Sequence, residues 1–174
     1  MLTPKDETPA TSFFPVDIIN KTCKTCSEKF SVLNYSFCSK SIQELPVSHV
    51  TNLQGLAVVA MELALQNATN TLSMIKELLL NNKTLGPFSL ACLSDCSLLY
   101  SDGVVKLVDA VGAFLTGQYA NAGVWVSAVM EGTATCEKGF QEMEEVSPLT
   151  KENYSIFQLC DVALCIMNLL ASES

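Results

Sequence analysis

The stretch CSLLYSDGVVKLVDAVGAFLTGQYANAGVWVSAVMEGTATC, residues 96–136, decides the fold. Apolar and small residues recur at steps of three and four through Cys96, Tyr100, Gly103, Leu107, Ala110 and Phe114, the spacing of one helix face. A Thr116-Gly117-Gln118 break interrupts the pattern, which resumes through Tyr119, Ala122, Val126, Val129, Thr133, Cys136 and Phe140. Cys96 and Cys136 each stand twenty residues from Thr116. In two antiparallel helices joined there, residues equidistant from the turn share one height. Cysteines on the facing stripes can then meet the Cα separation of roughly 4.4–6.8 Å that a disulfide needs. The stretch predicts a stapled helical hairpin.

Outward from it the same period continues. A long helix is expected from about Thr51 to Asn81, with Leu53, Leu56, Ala60 and Leu63 on one face. Ala57, Met61, Ala64, Ala68, Leu72, Ile75 and Leu79 form a neighbouring stripe, while Glu62, Gln66, Thr69, Ser73 and Lys76 mark the wet side. Asn81-Asn82-Lys83 and Gly86-Pro87 end this helix, and Pro87 suits the first turn of the next. Downstream, Glu142-Met143-Glu144-Glu145 and Ser147-Pro148 make a connection. A last helix begins near Thr150, its hydroxyl the expected cap, and carries Ile156, Leu159, Ala163, Ile166 and Leu170. Four long helices with short links imply an all-α protein, an up-down-up-down four-helix bundle over residues 51–171. Residues 16–46 read as a helical hairpin extension outside the bundle. Its first helix runs Val16 to Phe30, Asn34 caps the second from Tyr35 to Leu45, and Pro46 ends it. Residues 1–15, rich in Pro, Thr and Ser, are expected to be disordered, leaving 16–171 as one domain.

Composition bounds the function. The 174 residues carry a net charge of −8 and no arginine. Such a chain is repelled by phosphate backbones and anionic membranes and lacks the guanidinium that clamps phosphate, so neither nucleic acid nor membrane is an expected partner. Eight cysteines are heavy usage for this length. Five N-x-S/T sequons occur, at Asn20, Asn34, Asn67, Asn82 and Asn153. Chance would supply about two from ten asparagines where roughly one residue in six is Ser or Thr. Together these features point to a secreted glycoprotein. The opening Met1-Leu2-Thr3-Pro4-Lys5-Asp6-Glu7 shows no apolar signal-peptide core, which suits a mature or shortened form with an added Met. The longest uncharged run, Ala110 to Met130, is long enough to span a bilayer. Thr116-Gly117-Gln118 and Asn121 in its middle make it two helix ends joined by a turn instead.

No catalytic constellation stands out. The one histidine, His49, lies in the Pro46-Val47-Ser48-His49 link, where solvation or capping is its ordinary role. Carboxylates are plentiful but fall on wet faces, and no Gly-rich phosphate loop occurs. Cys23-x-x-Cys26 has neither the second pair a zinc site needs nor the βαβ context of a redox motif. The adjacent Cys-Cys and Cys-x-Cys elements of plant lipid-transfer proteins are missing as well. Within the first hairpin Cys38 can face either Cys23 or Cys26. Cys92, Cys160 and Cys165 fall in helices placed diagonally across the bundle and are expected to be buried free thiols. No metal and no cofactor are expected.

Several segments carry a likeness beyond periodicity. Ile18-Ile19-Asn20-Lys21-Thr22-Cys23-Lys24, then Asn34-Tyr35-Ser36-Phe37-Cys38, resemble the start of the plant invertase and pectin methylesterase inhibitor family. Asp95-Cys96-Ser97-Leu98-Leu99-Tyr100, Val126-Ser127-Ala128-Val129-Met130 and Thr135-Cys136-Glu137-Lys138-Gly139-Phe140 extend the likeness. Asn52-Leu53-Gln54-Gly55-Leu56 and Ser147-Pro148-Leu149-Thr150-Lys151-Glu152-Asn153 are most similar to invertase inhibitors of the tree-pollen allergen type. The resemblance covers about residues 17–171. It implies two disulfides, Cys23–Cys38 and Cys96–Cys136, and a secreted bundle of the cell wall, apoplast or vacuole. It also implies a non-enzymatic inhibitor that binds a plant invertase or pectin methylesterase one to one and occludes its cleft. Well-understood invertase-blocking members insert a Pro-Lys-Phe tripeptide from the turn between the disulfide-linked helices. Gly117-Gln118-Tyr119 occupies that place here, so only the aromatic is kept. Tyr119 also suits a core position at the start of its helical pattern. Two other readings compete: a helical carrier with an apolar cavity near Trp125 and Phe114, and an enzyme with an unusual carboxylate pair.

Overall fold

The computed structural model describes residues 15–46, 48 and 51–173, with side chains 15–17 and 82 left aside. The expected disordered segment up to residue 14, and His49, lie outside the described residues. Six α-helices follow in order: α1 (Pro15–Lys29), α2 (Tyr35–Gln43), α3 (Leu53–Leu80), α4 (Pro87–Leu115), α5 (Tyr119–Glu142) and α6 (Thr150–Ser172). A single 3-10 turn, Asn82–Thr84, joins α3 to α4. No strand occurs among the described residues.

The helix boundaries follow local chemistry. Asn34 Oδ1 accepts from the Phe37 N–H at 2.8 Å and Asn52 Oδ1 from the Gly55 N–H at 3.0 Å. Each satisfies a first-turn donor that has no intrahelical partner. Pro87 opens α4, where its missing N–H costs nothing. Thr150 differs from expectation. The N-cap of α6 is Leu149, with no side-chain cap bond. The Thr150 hydroxyl, one residue inside the helix, donates instead to Glu137 Oε1 on α5 at 2.5 Å.

Helices α3 to α6 form the antiparallel ring, each packed on its sequence neighbours, with α6 closing back on α3. The two stripes read from residues 96–136 face inward. Tyr100, Gly103, Leu107, Ala110 and Phe114 of α4 and Ala122, Val126, Val129, Thr133 and Phe140 of α5 are all buried. Cys96 and Cys136 are joined across them, with Cα atoms 5.1 Å apart. Among the described helices α6 alone is apolar and long enough to cross a membrane by length and composition. Its apolar residues Ile156, Leu159, Val162, Ala163 and Ile166 are instead fully buried in this core.

Two expectations fail at the N-terminal hairpin. There are three disulfides, not two: besides Cys23–Cys38, Cys26 pairs with Cys165 of α6, Cα atoms 5.8 Å apart. Nor is the hairpin an appendage. Ile19, Cys23, Cys26, Cys38 and Ile42 have no exposed surface and belong to the same apolar cluster as the bundle core. Cys165, expected to be a free thiol of the bundle core, is bridged from outside the four-helix ring. The partner comes from α1, which runs antiparallel along α6. Buried Gln158 of α6 fixes the register by donating to the Val32 carbonyl at 2.7 Å and accepting from the Asn34 N–H at 2.8 Å. Phe37 and Tyr154 close the other side edge-to-face, ring centroids 5.7 Å apart. Cys92 and Cys160 remain buried free thiols, as expected.

Candidate functional site

The chain reverses between α4 and α5 in a closure that only a special backbone allows. Gly117 has φ +79°, the left-handed region where a glycine pays no steric penalty. Its N–H donates to the Phe114 carbonyl at 3.0 Å, and the Gln118 N–H donates to Ala113 at 2.8 Å. This pair of bonds satisfies the last carbonyls of α4 in the Schellman arrangement. The Thr116 hydroxyl adds bonds to the Gly112 and Ala113 carbonyls, both at 3.1 Å. The turn is therefore held by backbone and side chain together.

Tyr119 is pinned from two neighbouring helices. Its ring lies against Phe114 with centroids 4.8 Å apart and planes at 34°. Its hydroxyl accepts from Gln54 Nε2 of α3 at 3.3 Å. Tyr119 is consequently half-buried, between a core residue and a contact residue, while Gly117 and Gln118 are exposed. The Gln118 amide oxygen accepts from Asn121 Nδ2 at 2.9 Å. The sequence thus brings Gly117, Gln118 and Tyr119 together at one tip of the bundle. Sequence reasoning missed the supports, Phe114 stacking and Gln54, because the contact with α3 spans 65 residues.

The tip is electrically neutral, since no residue from Ala110 to Met130 carries charge. It is also apolar: Leu115 is 68% exposed, Val124 65% and Trp125 37%. A rigid, uncharged knob with an exposed tryptophan has the composition of a protein-contact surface, where aromatic anchors carry much of the binding energy.

The competing chemistries find little support. At Tyr100, Gly103 and Ile156 the bundle interior leaves a void of about 10 Å³, room for no more than about one water. Trp125 points outward rather than lining a cavity there. Among the described residues no group of three His, Cys, Asp or Glu could hold a metal ion. Asp161 of α6 is the one buried acid among the described residues, and burial raises its carboxyl above the usual range. Its signal was present in the sequence: it is the one charged residue between Asn153 and Ser172. The sequons differ in setting. Asn153 is buried, its Oδ1 accepting from the Tyr100 hydroxyl at 2.7 Å and its Nδ2 donating to Glu137 at 2.8 Å. Asn20 Oδ1 accepts from the Ser39 hydroxyl and Gln43, Asn34 is exposed, Asn67 is half-buried, and the Asn82 side chain lies outside the described ones.

Comparison with known proteins identifies the family. The family model described as plant invertase/pectin methylesterase inhibitor matches residues 17–166. A protein of Platanus acerifolia named "Putative invertase inhibitor" is 37% identical over 157 residues, 90% of this chain and 87% of its own length. A pectinesterase inhibitor of Actinidia deliciosa is 28% identical over 138 residues, 79% of this chain and 74% of its own length. A crystal structure of a mutant form of a pectin methylesterase inhibitor from Arabidopsis superposes with a TM-score of 0.73. It is 24% identical and covers 86% of this chain and 96% of that one, which shows the fold. The helical fold, the cysteine framework and these matches agree that the chain belongs to the plant invertase/pectin methylesterase inhibitor family, and is a proteinaceous inhibitor rather than an enzyme.

Proposed function

We propose that the protein is secreted and inhibits its target one to one, presenting the α4–α5 tip to the enzyme as a preformed knob that occludes the active-site cleft. The observation that carries this reading is the closure at Gly117, with Tyr119 locked between Phe114 and Gln54. A surface already held in its binding shape loses little conformational entropy on docking. Three disulfides support an oxidising compartment. The relative named as an invertase inhibitor is the more similar, 37% against 28%, so invertase is the first target to test.

Oxidised protein titrated against a plant acid invertase and a pectin methylesterase tests the proposal, with complexes sized by light scattering. Stoichiometric inhibition of one enzyme is expected, and inhibition of neither overturns the reading. The Gln118→Ala/Tyr119→Ala variant is expected to weaken inhibition at least tenfold. An unchanged inhibition constant in a folded variant removes the tip from the contact.

A further inference from the structure

Beside the tip, a groove of about 780 Å³ runs between α5 and α6. Tyr119 stands at one end, and Phe30, from the end of α1, borders it with Glu131 and Asp161. Between them Val124, Leu164 and Met167 supply an apolar wall. Asp161 is 4% exposed, and its Oδ2 is sealed without a hydrogen-bond partner. That is an unusual residue to bury. A carboxylate without a partner is costly in an apolar wall, and the ordinary remedy, an ion pair or hydrogen bonds within the fold, is missing at this oxygen.

We propose that the α5–α6 groove receives a lysine side chain of the target enzyme, with Asp161 as the counter-ion of its ammonium group. The inference rests on the inhibitor reading above, since a protein seated on the tip at Tyr119 covers the adjoining groove. Three features select this occupant. Asp161 and the exposed Glu131 both line the groove, and two acidic side chains there suit a cation. The apolar wall suits a hydrocarbon stem, which lysine has. With Oδ2 sealed, at most one carboxylate oxygen can meet the ligand, which favours a compact ammonium over the two-point fork of an arginine. Burial raises the Asp161 carboxyl above the usual range, and an arriving ammonium favours its charged form.

Two measurements test the groove. In the first, the capped peptides acetyl-Gly-Lys-Gly-amide and acetyl-Gly-norleucine-Gly-amide are titrated into nitrogen-15-labelled protein. The lysine peptide is expected to shift the amides of Ser127, Asp161 and Leu164, and the norleucine peptide, equal in stem but uncharged, is not. Asp161→Asn should abolish the lysine shifts. Equal shifts from both peptides, or lysine binding that survives in Asp161→Asn, overturn the proposal. In the second, Asp161→Asn is expected to lose at least tenfold in inhibition of the enzyme that the wild type inhibits. Wild-type potency in that variant overturns the lysine docking while leaving the inhibitor reading intact. If the wild type inhibits neither enzyme, the inhibitor reading fails by itself and the peptide titration still decides the groove. Ala120→Trp, which adds bulk to the groove from an exposed position, should likewise abolish the lysine shifts, and unchanged shifts contradict the groove as the binding place.

Discussion

Removing the Cys26–Cys165 bridge asks whether the N-terminal hairpin is part of the folded unit. The two cysteines are 139 residues apart in sequence. The Cys96–Cys136 bridge short-circuits 40 of those, so the loop that Cys26–Cys165 closes in the unfolded chain is about 99 residues. Loop-closure entropy for about 100 residues corresponds to about 4.7 kcal/mol at room temperature, against about 3 kcal/mol for the 15-residue loop of Cys23–Cys38. The Cys26→Ala/Cys165→Ala variant should therefore lose more stability than Cys23→Ala/Cys38→Ala. For a chain of this size the loss corresponds to a fall in Tm of about 10–20 °C. Urea unfolding of both oxidised variants, followed by far-ultraviolet circular dichroism, measures the difference. The reasoning assumes that hairpin and bundle unfold together, as the shared core requires. A loss below about 1 kcal/mol, or one smaller than that of the Cys23/Cys38 variant, refutes it, because the hairpin would then detach without disturbing the bundle.

Three further outcomes are expected. Glu144 ends α5 in the left-handed region, φ 55°, with the same paired closure that Gly117 provides at α4: its N–H donates to Gln141 and that of Glu145 to Phe140. Glu144→Gly should relieve the side-chain penalty and stabilise by about 0.5–1 kcal/mol in thermal unfolding; a destabilised variant contradicts the argument. At Asp161 the folded carboxyl is raised above its unfolded value, so the folded state holds the proton more tightly and stability falls as pH climbs past about 3.9 toward the folded value. Asp161→Asn should be the more stable protein at pH 7, and denaturant titrations should show the gain shrinking toward pH 3.5; a pH-independent difference rules the mechanism out. Burial, then the charge of Asp161, pushes the Cys160 thiol up to about 12, and burial also raises Cys92. A thiol-reactive dye at pH 8 should label neither in the native protein and two thiols after unfolding without reductant; four labelled thiols would mean that a bridge is absent.

The bundle was legible because burial in a helix leaves a 3–4 period, and every inward residue of α4 and α5 obeys it from Cys96 to Phe140. Periodicity names the buried face of a helix but not what covers it. Hence Cys165 was correctly placed in the core and wrongly left unpaired, since nothing local announces that α1 lies along α6. Thr150 shows a similar limit. Its hydroxyl suits a cap, but Glu137 from α5 competes for it. At the candidate site the position of the turn followed from symmetry about Thr116. The pose of Tyr119 did not, because Gln54 reaches it from another helix. Asp161 was visible as a lone charge on an apolar helix; that the groove wall would close over it depends on how α1, α5 and α6 meet.

The long bridge also gives the molecule a record of its own completion. Cys23 and Cys38 are 15 residues apart and can join within a short segment, whereas Cys165 lies 139 residues beyond Cys26. Cys26, beside α2 on α1, must wait for α6 before it finds its sulfur. A chain cut short before α6 keeps Cys26 as a thiol with its native partner missing. The hairpin, which precedes the bundle in the chain, is thus locked only after α6 follows it, and a closed Cys26–Cys165 bond certifies that the whole bundle is present.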